Sequence, residues 1–449
     1  MRLKIPCVGS GQQRYKFSDQ TEKLTIVDHQ VAKTKRPSPP LLALSRIPSN
    51  TTTITSGALV SILEVTDPRY DISCFGPFTK QLPQRLGRSP ALDASASAFV
   101  SALRDLRNKQ VTTNSLTKYV GALNAVQRSL EDRTAAYSVE TLCAIYFIMV
   151  TQPWLSVAGD RYPSHGQGMS HLLRTLVEKQ SNDDFVKGLI ATVSVVVILE
   201  GLFNPAIDLD PWIHKVFSVA DPEDLKKAAE LGINFRSVDL PYFCMLPELV
   251  RNPEQNFDRI KSYYNTIRID YPGVKAFGET VLQPQCNGPA TSMPLRVVRA
   301  QSSYQAGQCL MLTIALALNA FLRKHYASDE LLMQEKHDFC ADTIQLAERA
   351  LPRRPLAAAH IPLCLIAAWL VSTDLAQQTQ MDALLDEYQK DYALVGSIRS
   401  ATILQQDETT GTIRKIPRFP CNFTGVHQLR PLNQRSAPEA YCAEYCCIL

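Results

Sequence analysis

Asp183 and Asp184, followed by Phe185, Val186 and Lys187, come close to the D-D-x-x-D pattern with which helical enzymes hold magnesium. Magnesium takes hard oxygen donors, and here a lysine ammonium stands where the third carboxylate belongs and would repel the ion. The two acids are better read as the first turn of the helix that follows, where negative charge favours the helix dipole. Asp208, Asp210 and His214 can be drawn as a mixed oxygen and nitrogen metal site. The stronger reading of Asp210-Pro211 is a helix start, with aspartate as cap and proline in the first turn. His165 and His171 are six residues apart, a spacing that does not put both on one helical face. Gly9 and Gly11 lack the third glycine of a dinucleotide loop, and no strand-then-helix pattern surrounds them. H-E-x-x-H, G-x-S-x-G and P-loop motifs are all missing. No catalytic or cofactor-binding residue is assigned, and the chain is expected to be non-enzymatic.

The twelve cysteines contain no C-x2-C pair, so a self-contained structural zinc site is not expected. Cys143, Cys309 and Cys364 sit inside apolar helical stretches, where a free thiol behaves as a small hydrophobe. Met1–Lys4 leads into no apolar signal-peptide core, and this cysteine usage fits a reducing intracellular compartment. The ending Cys446-Cys447-Ile448-Leu449 satisfies the C-a-a-X pattern for prenylation of Cys446, with leucine pointing to geranylgeranyl. One lipid anchors only marginally, and Arg430 and Arg435 upstream are offset by Glu439 and Glu444.

The elements that must position any site are helical. In 116–130 the apolar residues Leu116, Tyr119, Val120, Leu123 and Leu130 fall at offsets 3, 4, 7 and 14, which places one stripe on one face of a helix. Ser328 is placed to cap a helix through Leu332, Phe339, Cys340 and Ala347 that stops before Pro352. Met381, Leu384, Leu385, Tyr388 and Tyr392 form a further stripe. Strand-like alternation is confined to 21–27 and 397–403. The apolar runs 188–199, 309–322 and 355–373 read as buried core helices, being too short or too interrupted to span a bilayer. The fold class is all-α, with ten or more helices around two or three cores and irregular tails.

Residues 1–50 hold nine Lys/Arg against three acids, a charge of +6, while the rest of the 449-residue chain is −2. A basic arm on a near-neutral body suits contact with nucleic acid or an anionic surface, and equally a solvated tail. A Pro/Ser/Thr-rich stretch then separates this arm from the helical pattern.

The opening KIPCVGSGQQRYKF resembles the exit from a fungal binuclear zinc cluster, in which six cysteines hold two zinc ions. Cys7 matches the sixth ligand, and Arg14-Tyr15-Lys16-Phe17 the aromatic-basic segment after it. Trp154 and then His165-x2-Gly168-x3-Leu172-Leu173 are similar to the tryptophan and H-x-x-G-x-x-x-L-L of the helical regulatory domain of fungal-specific transcription factors. Residues 355–374 are similar to that family's late buried helices. The resemblance covers roughly 1–18 and 56–400. It implies four segments: the end of a zinc-cluster module (1–18), a basic linker (19–55), the helical regulatory domain (56–400) and a tail (401–449).

What the resemblance implies is a nuclear regulator of transcription, in a family often tied to biosynthetic gene clusters. DNA is the expected partner of a form carrying the whole cluster, with Arg2, Lys4, Arg14 and Lys16 gripping phosphate. One cysteine cannot assemble a two-zinc cluster, so zinc is expected only with further cysteines ahead of Met1. This chain should then bind DNA weakly and without sequence preference. Other transcriptional proteins, a small-molecule effector and a homodimer are compatible partners, although no long heptad follows the basic arm. The alternative reading is a peripheral membrane or scaffold protein held by a lipid on Cys446, and the third an all-helical enzyme.

Overall fold

Asn50 starts the first helix: its Oδ1 accepts the Thr53 backbone N–H at 2.7 Å, satisfying an amide that a helix N-terminus leaves free. That cap carries three consecutive threonines into α1 (Thr51–Leu63), although β-branched residues are only moderate helix formers. The helical body therefore starts five residues inside the stretch that composition assigns to a linker. The computed structural model describes residues 50–155, 165–179, 181–209, 212–216, 236–282 and 293–391. The strand-like pieces at 21–27 and 397–403 lie outside these residues, and among those described there is no strand.

Three 3₁₀ segments follow α1, at Pro68–Tyr70, Ile72–Phe75 and Pro77–Arg85. Next come α2 (Pro90–Asn108), α3 (Thr113–Glu131), α4 (Val139–Leu155), α5 (Gly166–Glu178) and α6 (Asp184–Phe203). The second half holds three short helices, α7 (Ile213–Val216), α8 (Leu240–Phe243) and α9 (Leu246–Arg251), then α10 (Phe257–Phe277) and α11 (Leu295–His325). It closes with α12 (Glu330–Ala350), α13 (Ile361–Val371) and α14 (Leu375–Gln389). The buried apolar side chains form one continuous cluster, where sequence reasoning expects two or three.

Helices α4, α6 and α13 are apolar around most of their circumference, as helices enclosed by others must be. Asp184–Leu202 and Leu295–His325 are long and apolar enough to cross a bilayer, yet 67% and 61% of their most apolar stretches are buried inside this fold. Polar staples fix the second half. Tyr264 Oη donates to Glu335 at 2.7 Å, Arg268 pairs with the same carboxylate at 2.7 Å, and Asn319 Nδ2 donates to Tyr264 Oη at 2.9 Å, tying α10, α11 and α12 together.

One helix start differs from expectation. The cap of α12 is Asp329, whose Oδ1 accepts the Leu332 N–H at 3.1 Å, and not Ser328. The leucines and valine of the α3 stripe share one helical face, as their spacing places them, and that face turns outward. Leu116, Val120, Leu123 and Leu130 are 43%, 54%, 39% and 47% exposed, whereas the inner face is Ser115, Ala122, Ala125 and Val126. The reason is small-on-small packing. Helix α2 presents Ser97, Ala98, Ser101 and Ala102 among its buried residues, and Ser101 and Ser115 hydroxyls meet at 2.8 Å, so the close face has no room for leucine.

Gly76 joins the second and third 3₁₀ segments at φ 115°, a region L-residues rarely adopt. A Cβ there would lie 2.3 Å from Thr192 Oγ1 on α6 and 3.0 Å from the Phe78 ring. Gly76→Ala is expected to lower stability by about 1–3 kcal/mol, read as a drop in the urea midpoint at unchanged slope. An unshifted midpoint would mean that this turn is not held against α6.

Candidate functional site

The residues singled out for chemistry resolve into local structure. Asp183 caps α6 by accepting the Phe185 N–H at 2.9 Å, and Arg85 pairs with its other oxygen. That guanidinium holds the Asp183 carboxyl below the usual carboxylate range. Asp184 occupies the first turn of α6. Asp208 serves through its backbone: its carbonyl accepts Trp212 Nε1 at 3.0 Å and Ser170 Oγ at 3.3 Å. His214 lies on α7, while Asp210 and Pro211 fall outside the described residues. No group of three His, Cys, Asp or Glu among the described residues is placed to hold a metal ion. Arg2, Lys4, Cys7, Arg14, Lys16 and Cys446 also lie outside them.

Trp154, His165, Gly168, Leu172 and Leu173 occupy the end of α4 and the start of α5. Trp154 packs against Phe75 and Phe99 at centroid distances of 5.7 and 5.4 Å. Met169, Leu172, Leu173, Leu176 and Val177 form the buried face of α5 at helical spacing. His165 stands at the helix N-cap, and burial lowers its pKa. His171 is exposed, with Nε2 3.2 Å from Tyr137 Oη. The glycine that packing requires is Gly166, where a Cβ would run into the buried Glu200 carboxylate; Gly168 is exposed, with open space around it.

Buried cysteines behave as predicted for apolar thiols. Cys143, Cys309, Cys340 and Cys364 are all in the core, and burial pushes the Cys340 thiol up to about 11.

One constellation has no local signature. Asp71 and Arg299, 228 residues apart, form a two-point ion pair, with Nε to Oδ2 at 2.6 Å and Nη2 to Oδ1 at 3.2 Å. Burial raises the Asp71 carboxyl, but the Arg299 guanidinium and the Ser73 amide at 3.0 Å outweigh it and leave the pKa below its ordinary value. The pair borders a cavity of about 170 Å³ between the 3₁₀ segments, α11 and the turn before α13, with Phe75, Ser302, Leu356 and His360 in its walls. His360 is buried, its Nε2 has no hydrogen-bond partner, and burial pulls its pKa down to about 3. The cavity is smaller than the ~300–1,000 Å³ of drug-sized sites. Asp71 is committed to Arg299, and a histidine this weakly basic is a poor proton acceptor near neutrality. The arrangement suits retention of a small uncharged molecule rather than proton transfer.

No protein-family model matches this chain, and no match was found among the curated proteins or the solved structures.

Proposed function

We propose that this chain is the helical regulatory body of a transcription regulator of the fungal zinc-cluster type. The observation that carries the reading is the ordered set Trp154, His165, Gly168, Leu172 and Leu173. It is supported by the burial of Trp154, Leu172 and Leu173 in one core at the α4–α5 junction. In this reading Arg2, Lys4, Arg14 and Lys16 supply phosphate contacts in the nucleus, and Cys7 matches the sixth ligand of a zinc cluster. The body acts through contacts with other proteins. A small neutral effector in the cavity beside Asp71 and Arg299 would bias how the 3₁₀ segments sit on α11.

Residues 1–449 fused to a heterologous DNA-binding domain are expected to change transcription from a matching reporter several-fold and to collect in the nucleus. In gel-shift titration the unfused chain should bind DNA without sequence preference. The logarithm of its affinity should fall with log salt at a slope no steeper than about −4, the limit for four phosphate contacts. A silent reporter with the fusion at membranes would overturn the proposal in favour of anchoring through Cys446.

A further inference from the structure

Two polar groups in the wall of one cavity are left without a partner. The cavity, about 170 Å³, lies between the first two 3₁₀ segments, α11 and the turn before α13. His360 and Ser302 both line it, and neither His360 Nε2 nor Ser302 Oγ has a hydrogen-bond partner among the described residues. His360 is only 6% exposed. Leaving a buried polar atom unpaired is costly, so folds supply nearly all of them with protein, water or ligand.

The remaining wall restricts what such a ligand can be. Phe75, Val298, Ala306, Leu356 and Ala357 make most of it apolar. An apolar cavity of about 150 Å³ takes up benzene, so this one has room for a six-membered ring with one small substituent. Charge does not suit it. Asp71 and Arg299 at the rim satisfy each other through two bonds, at 2.6 and 3.2 Å. An anion would have to draw Arg299 from Asp71, and a cation the reverse. Either would also surrender its hydration to an apolar space. The imidazole of His360, held neutral by burial, offers Nε2 as donor in one tautomer and as acceptor in the other. A hydroxyl both donates and accepts, so it can pair with Nε2 in either form.

The geometry points to a neutral ring alcohol of phenol size as the ligand of this cavity, its ring among Phe75, Val298 and Leu356 and its hydroxyl on His360 Nε2. Ser302 Oγ is the second unpaired atom that the ligand, or a water carried in with it, can serve. A ring seated there touches the 3₁₀ segments on one side and α11 on the other, the contact by which an effector shifts one against the other. The assignment rests on the regulatory reading for that consequence alone, since binding is a property of the cavity.

Calorimetric titration of the full chain at pH 7 with phenol, benzene and benzoate tests it. Phenol is expected to bind about fivefold more tightly than benzene, the worth of one net hydrogen bond. Benzoate should bind about tenfold more weakly than phenol. Ala306→Leu, which places a branched side chain in the cavity wall on α11, should abolish phenol binding. His360→Leu should bring phenol and benzene to equal affinity, and it decides the matter if Ala306→Leu does not fold. Phenol that fails to saturate, phenol bound no better than benzene, or binding that survives in folded Ala306→Leu would each overturn the proposal. So would benzoate bound as tightly as phenol. The reporter fusion is read separately. Phenol binding with a silent reporter removes the regulatory reading and keeps the site, and an active reporter without phenol binding does the opposite.

Discussion

Phe78→Ala is expected to destabilise the protein by about 3–5 kcal/mol, the range for removing a fully buried phenyl ring from a core that cannot collapse around the space. Phe78 is 1% exposed and lies on the 3₁₀ segment Pro77–Arg85, where a main-chain shift to fill the void would break the turn at Gly76. Its ring meets Tyr146, Phe147 and Phe185 at centroid distances of 5.7, 6.1 and 5.7 Å, mostly edge to face, so the loss includes oriented aromatic contacts as well as apolar area. Urea unfolding should show the midpoint fall. An exposed control, Ile269→Ala, should stay within about 0.5 kcal/mol of wild type. A Phe78→Ala loss under about 1 kcal/mol would mean that this segment is a loosely applied surface feature and not part of the core.

That result bears on the candidate site, because the same segments support it. Asp71 sits between the Pro68–Tyr70 and Ile72–Phe75 turns, and Phe75 packs between Phe99 and Trp154. The Asp71–Arg299 pair therefore joins the first-half core to α11 across the rim of the cavity. Loosening the aromatic cluster should loosen the cavity wall too.

The fold class was legible because helical spacing over long segments is a strong signal. Leu332, Phe339, Cys340 and Ala347 on α12, and Met381, Leu384, Leu385 and Tyr388 on α14, are buried as their periodicity requires. Helix α3 shows where that inference stops. Periodicity says which residues share a face, but which face turns inward depends on the neighbour. A helix backed by the serines and alanines of α2 buries its own small residues and leaves its leucines outside. The start of α1 was not legible for a different reason: threonines look like linker until the capping side chain of Asn50 is counted. Asp71, Arg299 and His360 were not legible as a group at all. Each is ordinary in its own window, and only the packing of the 3₁₀ turns on α11 brings them to one cavity.

The acid limb of stability is expected to start above the carboxylate range, and His360 is the main reason. In the unfolded chain its imidazole titrates near 6.5; in the fold, burial holds the pKa down to about 3. Between those values the unfolded state binds a proton that the native state refuses. Stability is therefore complete above pH 6.5 and falls by up to about 1.4 kcal/mol for each unit below it. His165, also depressed by burial, acts in the same direction. Asp67, Asp71 and Asp183, all lowered in the fold, begin to contribute only as pH drops through the unfolded carboxylate value near 4. The interval from pH 6 to 4.5 thus carries the buried histidines, opposed by Asp239 and Asp391, whose carboxyls burial raises in the fold. His360→Leu removes the titrating group together with an Nε2 that has no partner to lose. Urea unfolding at pH 7, 6 and 5 should show the variant's pH slope reduced by close to one proton, with stability at pH 5 equal to or above wild type. An unchanged slope in His360→Leu would show that this imidazole takes up its proton as readily in the fold as in the unfolded chain, and the cavity beside Asp71 and Arg299 would then carry a positive charge below about pH 6.5 and select there for anions instead of neutral molecules.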